Sequence, residues 1–153
     1  MPPTGRRHRD PCENASVLED VAIPVQLKLA ALWASLMFVY VYADILGFYT
    51  PGVIEDILAG TVWQFEISQT WALGALALMM VPILMVFLSL ALPARTNRMT
   101  NIVVGSLYVV ISAGNAVGES WVYYYGVVVL AEIVVLALII RYAWTWPRTQ
   151  LRG

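Results

Sequence analysis

The chain has 153 residues, enough for one ordinary domain, yet 60% are hydrophobic and only 12% charged, against roughly 45–50% and about 25% in soluble globular proteins. A soluble fold of this size cannot hide so much apolar surface; a bilayer can. The net charge of −1 gives no basis for nucleic-acid binding, and a single Cys12 with a single His8 excludes an internal disulfide, a CxxC pair and histidine-ligated haem in a membrane.

Residues 1–23 are polar, with prolines, arginines and acids, and read as a flexible tail. The first apolar run begins too late and is too long for a signal peptide. A first span is expected over about residues 27–49, interrupted only by Lys28 near its start and Asp44 near its end. At 1.5 Å per residue that length covers a hydrocarbon core of ~30 Å, and Lys28 can snorkel to the interface. Thr50 and Pro51 then suit the cap and first position of a short helix that Gly60 stops. Val53, Ile54, Ile57 and Leu58 share one face and Glu55, Asp56 and Ala59 the other, so this helix is expected to lie in the outer interface. A plain surface loop is the alternative.

A second span is expected over about 70–92, uncharged, with Pro82 in its middle removing one backbone donor and kinking it. Pro93 closes it, and residues 94–100 read as a short basic turn. The third and fourth spans are placed at about 101–119 and 122–142, an antiparallel pair joined by a very short link. Trp121, Tyr123, Tyr124 and Tyr125 mark one boundary, and Tyr142, Trp144 and Trp146 the other, as interfacial belts do. The fold expected is an all-α, four-helix transmembrane bundle over 24–147, followed by a C-terminal tail, 148–153.

Orientation follows from the basic residues. All nine lie in three places: Arg6, Arg7, Arg9 and Lys28; Arg95 and Arg98; Arg141, Arg148 and Arg152. The positive-inside bias puts both termini in the cytoplasm. Lys28, Arg95, Arg98 and Arg141 are then the residues that set topology and meet lipid headgroups.

Polar groups within spans are the candidates for function, because a charge at the bilayer centre costs about 2.5–3.5 kcal/mol on insertion scales and needs a partner, water or neutralisation. Glu132 lies near the midplane with entirely apolar flanks and no basic residue expected at its depth. Trp33, Met37, Tyr40 and Asp44 follow i, i+4, i+7, i+11; Tyr108, Ser112, Asn115 and Glu119 repeat that spacing on the third span. Tyr40, Asp44, Tyr108, Ser112, Asn115, Glu119 and Glu132 together are expected to line one polar cleft open to the outer face. Such a cleft would handle protons, cations or a small solute; the same groups also serve as hydrogen bonds between helices.

Gly114 and Gly118 permit close helix approach, within the bundle or in a homo-oligomer. No GxSxG, GxxxxGK[ST], HExxH or GxGxxG is present, and with no histidine near the membrane a serine–histidine hydrolase is excluded. The sequence therefore points to a non-enzymatic protein, without cofactor or metal, whose partner is the lipid bilayer; an enzyme built on carboxylates alone stays open.

Several segments carry a resemblance. Tyr42-Ala43-Asp44-Ile45-Leu46, Pro51-Gly52 with Glu55, Asn97-Arg98 followed by Asn101-Ile102, Tyr124-Tyr125 with Glu132, and Tyr142-Ala143-Trp144 with Trp146 resemble an uncharacterised family of small prokaryotic membrane proteins over about residues 27–147. The resemblance implies four spans and the inner membrane of a prokaryote, and no activity. Asp44, Arg98 and Glu132 match its pattern. A vaguer likeness to DoxX-like four-span proteins rests on span count.

Overall fold

The computed structural model describes residues 22–115 and 121–147. The chain forms α1 (Val25–Gly47), a short α2 (Val53–Leu58), a two-stranded antiparallel hairpin of β1 (Thr61–Val62) and β2 (Phe65–Glu66), then α3 (Gln69–Ala91), α4 (Ala94–Asn115) and α5 (Val122–Trp144). It is an all-α architecture with one small hairpin between α2 and α3.

Among the described residues three helices, α1, α3 and α5, are long and apolar enough to cross a membrane. Each is 23 residues, or about 34 Å at 1.5 Å per residue. Their surfaces agree with that reading. Phe38, Leu73, Phe87, Val127 and Leu130 are all more than half exposed, while Asn97, Asn101, Ser89 and Ser112 are fully buried. Apolar outside and polar inside is the distribution that lipid selects.

The four long helices each present one narrow buried stripe: Leu29, Trp33, Leu36 and Tyr40 on α1; Pro82, Met85 and Ser89 on α3; Asn97, Asn101, Gly105, Tyr108 and Ser112 on α4; Glu132, Leu136, Ile139 and Ala143 on α5. The spacing is helical throughout. α1 packs on α3 and α5, and α5 packs on α4. Lys28 and Tyr142 meet at one end of the α1–α5 pair, and Ala43 and Tyr124 at the other, so these helices are antiparallel. α4 runs with α1 and against α5, because Trp33 meets Asn101, Tyr40 meets Ser112, and Arg98 meets Trp144. Gly105 allows the α4–α5 approach: a Cβ there would stand 3.1 Å from Ile140 Cγ1.

Several boundaries differ from the sequence reading. Residues 94–100 are the opening turns of α4, not a loop. The reversal after α3 needs only Leu92 and Pro93, since the Asn97 side chain donates to the carbonyls of Ser89 (2.6 Å) and Leu92 (3.4 Å) and closes it. The cap of α2 is Gly52 at φ 92°, not Thr50, whose hydroxyl instead donates to Gly47 O at 2.6 Å. Only glycine enters that left-handed region freely. Gly114 faces open space, with nothing within 4 Å of an added Cβ, so the glycine that brings described helices together is Gly105. Gly118 and the 1–21 and 148–153 stretches lie outside the described residues.

Candidate functional site

Two polar clusters sit on the buried stripes. The first lies where α1, α3 and α4 converge near the Arg98 end. Trp33 Nε1 donates to Asn101 Oδ1 at 2.7 Å, and Ser89 Oγ donates to the same oxygen at 3.3 Å. Asn101 Nδ2 donates to the Asn97 carbonyl at 2.9 Å and to Asn97 Oδ1 at 2.7 Å. An indole N–H can only donate, so it fixes which way the Asn101 amide faces. Both amide hydrogens and both oxygen lone pairs of Asn101 are then used.

A second contact between α3 and α4 answers the proline. Pro82 has no N–H, so the carbonyl four residues earlier, Leu78 O, loses its helical donor. The Tyr108 hydroxyl on α4 donates to that carbonyl. The Tyr108 ring also meets Trp33 edge-on, with centroids 6.2 Å apart.

The other cluster lies deeper. Tyr40 and Ser112 approach through their hydroxyls at 3.5 Å, a long contact, and Ser112 stands against the Glu132 carboxyl. Glu132 is 4% exposed, and its Oε2 is buried with no hydrogen-bond partner. α5 places the carboxyl there because Glu132 begins its buried stripe, one turn before Leu136.

Of the seven residues expected to share a cleft, Tyr40, Tyr108, Ser112 and Glu132 are buried on adjoining stripes. Asp44 and Asn115 are exposed, and Glu119 lies outside the described residues. Asp44 shares the α1 face of Tyr40 and Gly47, one turn from the helix end, and is exposed there. Among the described residues one surface groove is lined by Ala34, Met37, Phe38, Val41, Ile83 and Val86 and another by Trp121 to Tyr124; neither is lined by Tyr40, Tyr108, Ser112 or Glu132.

Lys28 and Arg98 each lie against an aromatic ring, Tyr142 at 5.4 Å and Trp144 at 5.7 Å, while Arg95 and Arg141 are exposed. Asn97, Asn101, Ser89 and Gly105 carry the interior contacts that the sequence reading did not assign. Their one signal was the i, i+4, i+8 spacing of Asn97, Asn101 and Gly105, which runs on into Tyr108 and Ser112.

The family model for the Family of unknown function (DUF6326) matches residues 23–153. The chain belongs to DUF6326. No curated protein and no solved structure matches it. Membership in DUF6326 assigns no activity to either polar cluster.

Proposed function

We propose that this DUF6326 member is a non-enzymatic, structural or accessory protein of a prokaryotic inner membrane, with four spans and both termini cytoplasmic. The observation that carries the reading is how its interior polar groups are used. Trp33, Ser89, Asn97, Asn101 and Tyr108 all bond to neighbouring helices or to their own turn, as helix-joining groups do. The fourth span is supported by connectivity. If α3 and α5 cross in the same direction, the chain must return between them, and α4 runs the right way to do so. Its opening turns, with Arg95, Asn97, Arg98 and Asn101, are what make it less apolar than the others.

Thiol labelling tests this. In a Cys12→Ser background, single cysteines at Trp63 and Arg95 are expected to react with a membrane-impermeant reagent from opposite sides, and cysteines at Tyr108 and Ser112 from neither. Reaction at Ser112 in a correctly assembled protein would overturn the structural reading.

A second reading, proton or cation handling, is favoured by one observation: the unpartnered Glu132 Oε2 inside the bundle. An intramembrane carboxyl with one oxygen unpartnered is a functional candidate by default. Proteoliposomes holding the wild-type chain would then dissipate an imposed pH or sodium gradient faster than Glu132→Gln proteoliposomes. Equal leak from both removes this reading.

A further inference from the structure

All four described basic side chains, Lys28, Arg95, Arg98 and Arg141, gather around the end of the bundle where α1 and α4 start and α5 stops. The described acids lie elsewhere: Asp44 near the far end of α1, Glu55 and Asp56 on α2, Glu66 on β2 and Glu132 deep in α5. No described carboxylate therefore offsets this end.

Two of the cations are held in place. Lys28 rests over Tyr142 and Arg98 over Trp144, so α5 carries a ring on the α1 side and another on the α4 side. A cation over an aromatic face gains an attraction that does not use its hydrogen-bond donors. Arg98 keeps a donor idle: its Nε is buried and has no hydrogen-bond partner. The Asn97–Asn101 network fixes the turn of α4 from which Arg98 projects.

The outward side of α4 is apolar. Met99, Val103, Leu107 and Val110 follow i, i+4, i+8, i+11 along α4, each more than half exposed, with Leu90 at the end of α3 also exposed. A ligand satisfying both parts needs an anionic phosphate head and a hydrocarbon tail. We propose that Arg98, with Lys28 and Arg141, forms a collar around the end of α5 that binds the headgroups of anionic glycerophospholipids, with an acyl chain along the Met99–Val110 face. This goes beyond the structural role proposed above and does not require it.

The experiment uses the full chain in nanodiscs and measures bound phosphatidylglycerol against phosphatidylcholine by native mass spectrometry. Wild type is expected to prefer the anionic lipid. Arg98→Gln lowers the preference about fivefold, the effect of one basic residue at a charged interface. Trp144→Leu keeps every charge but frees Arg98, and lowers it by a smaller factor. Circular dichroism checks that both variants fold, and Lys28→Gln gives an independent measure if Arg98→Gln does not. No preference in wild type, an unchanged preference in the folded Arg98 and Lys28 variants, or displacement of the lipid by millimolar inorganic phosphate would each overturn the proposal.

Discussion

The Asn101 cluster and the Glu132 cluster occupy the same bundle, on helix faces of the same kind, and differ in one respect. Around Asn101 every donor meets an acceptor, and the bonds tie α1, α3 and α4 together. Around Glu132 the hydroxyl contact is long and one carboxylate oxygen has no partner. In a low-dielectric interior a satisfied network rigidifies, while an unsatisfied group costs free energy until something completes it. The first cluster joins helices, and the second leaves one carboxyl oxygen without a partner.

Leucine substitutions separate the two most widely. Asn101→Leu strands the Trp33 indole N–H and Asn97 Oδ1 together, and is expected to lower stability in detergent by about 2 kcal/mol. Glu132→Leu removes the carboxyl together with its unpartnered oxygen and is expected to change stability by less than about 1 kcal/mol, in either direction. Unfolding by sodium dodecyl sulfate in mixed micelles measures both, and equal losses would erase the distinction drawn here.

A smaller effect sharpens the comparison pair by pair. In a double-mutant cycle, Trp33→Phe with Asn101→Ala should show a coupling of about 1 kcal/mol, whereas Tyr40→Phe with Ser112→Ala should show almost none. The smallest effect concerns the proline. Tyr108→Phe is expected to cost about 0.6 kcal/mol in the wild-type chain and less in a Pro82→Ala background, where Leu78 O regains a helical donor. An undiminished cost would mean that the tyrosine does not compensate for Pro82.

The long apolar helices α1, α3 and α5 were legible because each depends on residues near in sequence. The Pro82 gap in α3 was legible for the same reason, but the side chain that fills it, Tyr108, comes from 30 residues away. Pairings such as Trp33 with Asn101, 68 residues apart, leave no local mark. Asn97 lies between Arg95 and Arg98, with Asn101 one turn further on, and the stretch resembles a polar turn until the Asn97 side chain is seen closing the reversal. Gly105 stands alone without a second glycine one turn away, so nothing in the pattern marks it as the point where α4 meets Ile140. Asp44 differs: regular spacing puts it on the face that carries Tyr40 and Gly47, yet its side chain is exposed.

The excursion between α1 and α3 packs chiefly on itself, α2 against β1 and β1 against β2, with Gly52 and Gly60 turning the chain at its corners. The helices below therefore owe little of their arrangement to it. A reporter peptide spliced beside Trp63, at the tip of that hairpin, would travel with the protein while leaving the bundle to fold as before, and so offers a handle for finding whatever the chain meets outside the bilayer.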